Sequence, residues 1–119
     1  MSFPFDDNRY VATIISHHDA DTSRVLVALG MDVSVKLTVR WRGINAPELS
    51  TPEGHAALDL LNVWMPKGHR CILETRRDAK EKYGRYLGTF YAIDAPDGTS
   101  YNRQLIDAGH AVPYDGGPR

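Results

Sequence analysis

The sequence predicts an α+β domain built on a five-stranded β-barrel, with one helix between the third and fourth strands and a short second helix after the fifth. Three observations predict it. Val33, Val35, Leu37, Val39 and Trp41 alternate with Ser34, Lys36, Thr38, Arg40 and Arg42, the period of a half-buried strand with one wet face. Ala57, Leu58, Leu61, Trp64 and Met65 recur at helical spacing, between a start signal, Thr51-Pro52, and a stop, Pro66-Lys67-Gly68. The other apolar runs are short, rich in β-branched and aromatic residues, and bounded by turn residues.

Taken in order, residues 1–8 read as a loose, flexible tail. Tyr10 to Ile15 reads as the first strand, broken by the polar His17-His18-Asp19-Ala20-Asp21. Arg24 to Leu29 is the second, and Gly30-Met31-Asp32 is the hairpin loop into the third. Arg40 falls on the polar face of that third strand, near its end. Gly43 to Ser50 is a loop carrying Asn45, Pro47 and Glu48, and residues 52–65 form the first helix. Cys71 to Thr75 is a strand, Arg76 to Tyr83 a charged loop, and Gly84 permits a tight bend. Tyr86 to Ile93 is the fifth strand, followed by an Ala95-Pro96-Asp97-Gly98 turn. Ser100 caps a short helix that Gly109 ends, and the tail from Pro113 is irregular. Five strands with a helix between the third and fourth is the layout of an OB-fold barrel. A mixed α+β sandwich fits the same string less tightly.

At 119 residues and 13.3 kDa the chain has one domain's length, expected to span 9–119 behind the tail. Its 42% hydrophobic and 24% charged residues are too apolar a mix for disorder. A net charge of -1 excludes a uniformly basic coat, though not a local patch. Between Lys67 and Arg85 seven basic residues meet three acidic ones. Such a stretch is either a solvated loop or a surface that meets phosphates. One cysteine, Cys71, excludes an internal disulfide framework and a cysteine-based zinc site, and it reads as a core residue. There is no basic leader or apolar signal core at the start. No apolar run nears the roughly 18 residues needed to span a bilayer. The expectation is a cytoplasmic monomer with no membrane partner, in keeping with a phage or mobile-element origin.

Three clusters stand out for chemistry: Asp19-Ala20-Asp21-Thr22, the stretch from Arg40 to Glu48, and Glu81-Lys82-Tyr83-Gly84-Arg85. Each alone is explained by a polar turn or a solvated loop. Together, in this order, they resemble the staphylococcal nuclease family, whose domains cleave DNA and RNA. The family's Asp-Gly-Asp-Thr motif corresponds to Asp19-Ala20-Asp21-Thr22. Its Arg and Asp-x-Pro-Glu correspond to Arg40 and Asn45-Ala46-Pro47-Glu48, and its Lys-Tyr-Gly-Arg to Lys82-Tyr83-Gly84-Arg85. Its Asn and Gly-x-Ala correspond to Asn102 and Gly109-His110-Ala111. The likeness runs from about Arg9 to Tyr114.

The resemblance implies a metal-dependent phosphodiesterase. Asp21, Asn45 and the Ala46 carbonyl would hold Ca2+, and Asp19 would act behind them or through water. Glu48 would activate or orient water, and Arg40 and Arg85 would clamp the phosphate. Lys82, Tyr83 and Tyr114 would line the nucleic-acid groove. The same roles are chemically sound for these residue types. Phosphodiester hydrolysis needs an activated water and a cation at the phosphate. A site with few protein ligands and open positions suits hydrated Ca2+. Planar guanidinium forks match phosphate oxygens, and aromatic rings stack on unpaired bases, which favours single-stranded DNA as the substrate.

The pattern departs from the family in four places. Asn45 stands where the best-known members have Asp, which drops one negative charge and leaves Mg2+ or Mn2+ as alternatives to Ca2+. Ala20 replaces Gly, a C-terminal helix of longer members is lacking, and the segment before the first helix is short. A binding module that holds nucleic acid or protein without cutting is the rival reading, which Asn45 favours. Against it stands Glu48, since a carboxylate facing a phosphate repels the ligand unless it activates water. A transition-metal site at His17-His18 conflicts with the opposite facing of adjacent strand residues. His55, His69 and His110 lack ligand spacing, and Trp41 and Trp64 read as packing between barrel and helix.

Overall fold

A computed structural model describes residues 8–77 and 86–114, with Arg77 described by its backbone alone. The expectations for residues 1–7, for the motif residues Lys82, Tyr83 and Arg85, and for residues 115–119 lie outside the described residues.

Strand β1 (Arg9–Asp19) pairs antiparallel with β2 (Thr22–Gly30), and β2 with β3 (Val33–Trp41). The β2–β3 turn places Met31 and Asp32 at φ 54 and 62, the left-handed pair that matches the twist of the flanking strands. After helix α1 (Pro52–Trp64) come β5 (Arg70–Arg77) and β6 (Tyr86–Ala92). The order β1-β2-β3-β6-β5 closes into a barrel, with β6 parallel to β3 and β5 antiparallel to β1. This is the five-stranded OB-type barrel with two helices that the element order predicts. Helix α2 (Tyr101–Asp107) follows β6. Among the described residues no helix is long and apolar enough to cross a membrane.

Both helix starts follow their sequence signals. Thr51 caps α1, its hydroxyl accepting from Gly54 N at 3.0 Å, with Pro52 in the first turn. Ser100 caps α2 by accepting from Arg103 N at 3.1 Å. Helix α1 seals the barrel with Gly54, Ala57 and Leu61, continued by Met65. Inside, Trp41 stacks on Phe90 with ring centroids 4.3 Å apart, a contact within the barrel. Trp64 meets Tyr101 at 6.4 Å and packs against the core, so it joins the two helices to each other as well as to the barrel. Cys71 is buried, as expected, and burial pushes its thiol up to about 12.

The structure corrects four readings. The polar His17-His18-Asp19 does not break β1, which runs on through it. Pairing with β2 shifts register between Ile14 and Ser16. A bulge of this kind inverts the alternation, so His17, and not Ser16, turns inward. The loop at 43–50 and the tail from Pro113 are not wholly irregular. Strand β4 (Ile44–Asn45) pairs with β7 (Val112–Pro113), and Tyr114 N donates to Gly43 O at 2.9 Å. Finally, Arg40 is not on a wet face. The outer face of β3 is exposed as far as Thr38, but Arg40 is only 3% exposed, and the chain around β4 and Tyr114 lies against it.

His17 shows why the inward turn matters. Its Nε2–H donates to Met65 O at 2.7 Å, and its Nδ1 accepts from the Ser23 hydroxyl at 2.6 Å, which itself accepts from Trp41 Nε1 at 2.8 Å. The neutral ring is satisfied on both sides, a structural role and not a ligand's. Burial, with His69 nearby, holds its pKa below the ordinary 6.5, and the Met65 carbonyl only partly opposes them. The unfolded chain therefore takes up a proton before the native one does, so stability is full above about pH 6.5 and falls as the pH drops below it. On acidification from pH 7 to 5, wild type should lose more melting temperature than His17→Gln. Parallel losses in the two proteins would show that His17 contributes nothing to the acid limb.

Candidate functional site

The site lies where the β1–β2 turn, the end of β3 and the β4 segment meet. Ala20 and Asp21 form a two-residue turn in which Asp21 N donates to Asp19 Oδ1 at 3.0 Å. Neither residue has a positive φ among the described backbone, so glycine at position 20 is dispensable and Ala20 fits without strain. Asp21 is 5% exposed. Its Oδ2 accepts from Ala46 N at 2.9 Å, and its Oδ1 accepts from the Thr22 hydroxyl at 3.3 Å. The Ala46–Asp21 contact ties the first motif to the second across 25 residues of sequence.

Arg40 is the hub. Nη1 donates to Trp41 O at 3.0 Å and Asp21 O at 3.3 Å, and it lies 3.6 Å from Asp21 Oδ2 as an ion pair. Nη2 donates to Ile44 O at 3.0 Å and to Asn45 Oδ1 at 3.4 Å. The Tyr114 ring faces the guanidinium at 5.7 Å. Only Nε is buried with no partner among the described residues. Buried N–H groups are nearly always paired, so this one marks a place for an acceptor that the described residues do not supply.

Asn45, Ala46, Asp21, Arg40 and Tyr114 are thus brought together. Glu48 sits three residues beyond Asn45 with an exposed side chain, and no hydrogen bond joins its carboxylate to Asp21, Arg40 or Asn45. Its backbone is firmly held: Glu48 O accepts from Thr51 N at 3.0 Å and from the Thr51 hydroxyl at 2.6 Å.

Two further residues matter that motif reading left without a role. Asn102 is buried, accepts from Phe90 N at 3.0 Å, and donates to Arg42 O and Gly88 O at 2.9 and 3.0 Å. It bolts α2 to β6 and to the chain just past Arg40. Gly54 lies against the Glu48 loop. A Cβ there would overlap the Glu48 carbonyl and come within 2.9 Å of Leu49 Cα. The hydrogen-bonding motif around Thr51 could have pointed to a close approach, but not to its closeness.

The donor set suits a hard cation. Asp19, Asp21, Asn45 and the Ala46 carbonyl offer only oxygen. Burial, and then the neighbouring Asp21 carboxylate, hold Asp19 above its ordinary range. Acids crowded in this way are relieved by a cation. Among the described residues no three His, Cys, Asp or Glu side chains group where they could hold a metal ion.

One protein family, described as staphylococcal nuclease homologue, matches the chain over residues 38–117. The span takes in Arg40, Asn45 to Glu48, Lys82 to Arg85 and Asn102, while Asp19 and Asp21 precede it. No curated protein matches the chain closely enough to count as a relative.

Proposed function

Since the chain belongs to the staphylococcal nuclease homologue family, we propose that it hydrolyses phosphodiester bonds of nucleic acid, single-stranded DNA above all and RNA besides, with the help of a hard divalent cation. The observation that carries the reading is Arg40: buried, its terminal nitrogens held by carbonyl acceptors and the Asn45 amide oxygen and paired with Asp21, with Nε left without a partner among the described residues. A phosphate oxygen is the acceptor that such a group fits.

In this reading Asp21, Asn45 and the Ala46 carbonyl hold Ca2+, with Asp19 behind them. The cation would offset phosphate charge and make bound water a better nucleophile. Glu48 takes the proton from the attacking water as its oxygen bonds to phosphorus and the leaving P–O bond breaks. Arg40 donates from Nε to a phosphate oxygen, most strongly as charge builds there. Arg85 would be the second clamp, and Tyr83, Lys82 and Tyr114 would hold the flanking nucleotide. All these residues come from one chain, so a monomer suffices.

The test is incubation of the pure protein with single-stranded DNA in Ca2+, in Mg2+ and in chelator. Fragments that appear with metal and vanish with chelator support the enzyme. DNA that is bound but never cut points to the binding module, the rival that Asn45 favours.

Asn45 supplies a sharper test. A neutral amide leaves one formal charge fewer than two acids would, and charge count is a main control of Ca2+ affinity. Asn45→Asp should tighten Ca2+ on the order of tenfold, by the same control. Its new carboxylate would also lie within reach of Arg40 Nη2, offsetting the crowding beside Asp21. Calorimetric titration of Ca2+ into both proteins, with and without a nucleoside bisphosphate, checks it. Unchanged affinity in the variant would remove position 45 from the metal site.

A further inference from the structure

We infer that the outer face of β1–β3 is an extended subsite that carries the phosphates of the nucleic-acid strand flanking the scissile bond; the inference rests on the nuclease reading above. A groove of about 570 Å³ opens on this face, lined by Ser16, His18, Thr22, Arg24 and Thr38, with inward-turned His17 and Ser23 at its floor. Every lining residue is polar and none is acidic, in a chain with 15 acidic residues against 14 basic ones. Hydroxyls and a guanidinium are the groups that meet phosphate oxygens.

Strand register joins this groove to the site. Across the three strands, Asp19, Thr22 and Arg40 form one row, Ser16, Arg24 and Thr38 the next, and Thr13, Leu26 and Lys36 a third. Thr22 also hydrogen-bonds Asp21. Two residues along a strand cover roughly 7 Å, so a strand leaving Arg40 meets a cation after each such step, first Arg24 and then Lys36. Both side chains are exposed, and neither has an ion-pair partner among the described residues. Cations on a wet strand face ordinarily pair with acids or stand apart; here they extend, in line, from a buried arginine whose Nε–H has no partner among the described residues.

The experiment compares wild type with the double variant Arg24→Gln, Lys36→Gln, using a long fluorescent oligothymidylate in chelator and a dinucleotide substrate with Ca2+. Losing two phosphate contacts should weaken oligothymidylate binding by tenfold or more at low salt. It should make the salt dependence shallower by about 1.4 in slope, at roughly 0.7 per contact for single strands. Dinucleotide cleavage should keep its kcat/KM, and Arg24→Lys, Lys36→Arg should bind as wild type does. Oligothymidylate binding with an unaltered salt slope in the double variant overturns the subsite and leaves the nuclease reading standing. A loss of dinucleotide cleavage also overturns it, by placing these residues in the reacting site. Displacement of the oligonucleotide by inorganic phosphate at constant ionic strength would mark a free-anion pocket and overturn it too. If wild type neither binds nor cuts the oligonucleotide, the nuclease reading falls and the subsite with it.

Discussion

Arg40→Ala should lower the rate of phosphodiester cleavage by at least about a hundredfold, the usual cost of losing one donor aimed at transition-state charge. It should also lower stability, because Arg40 has two duties. Its terminal nitrogens satisfy the Asp21, Trp41 and Ile44 carbonyls and pair with Asp21, all at a buried position. Removing one partner of a buried pair costs about 3–5 kcal/mol, since the other charge is left uncompensated. The two effects are separated by Arg40→Lys, which keeps the charge beside Asp21 but has no planar fork and no Nε. Denaturant melts and single-turnover rates on both variants are the measurement. Arg40→Lys should recover part of the stability and almost none of the rate. If it cleaves as fast as wild type, Arg40 is a structural cation only.

The second large effect is expected at Gly54. This helix residue touches neither nucleic acid nor metal in the proposed mechanism, yet Gly54→Ala should lower kcat by about a hundredfold, the scale of a misplacement near 1 Å at a reacting group. The reason is steric: the added Cβ overlaps the Glu48 carbonyl, and the neighbouring atoms are backbone that cannot swing aside. The Glu48–Thr51 hydrogen bonds hold that loop onto the helix start, so the collision must push the Glu48 segment outward. In an open helix position the same change would stabilise by about 0.8–1.0 kcal/mol; here overpacking of about 1–3 kcal/mol should exceed it. KM should move little, because in the proposed mechanism Glu48 acts on water and not on substrate affinity. Steady-state kinetics with a thermal melt decide the matter. Wild-type kcat in a stabilised Gly54→Ala protein would mean that this loop does not hold a reacting group.

Asn45 and Glu48 show how much of the site local sequence carries. Their identities and spacing after Arg40 were readable, as was their loop between a strand and a capped helix. So were the alternation of β3, the Thr51 and Ser100 caps, and the turn residues. These signals are local. A strand's period, a cap's hydroxyl and a turn's conformation are set by residues a few positions apart, and they determined the barrel, its helices and the candidate chemistry.

What the tertiary structure alone decided depends on segments far apart in the chain. Arg40 belongs by period to a wet face, and it is buried because β4 and β7 pair beside it and Tyr114 closes over it. His17 falls in a polar run that reads as a break, and a bulge set by pairing with β2 turns it inward to Ser23 and Met65. Asn102 has its partners in β6 and just past β3, and Gly54 is required only because the Glu48 backbone comes so near. Periodicity records which way a residue points from its own backbone. It holds no record of which distant backbone will arrive there, and burial, hydrogen-bond satisfaction and steric demand are all properties of that arrival.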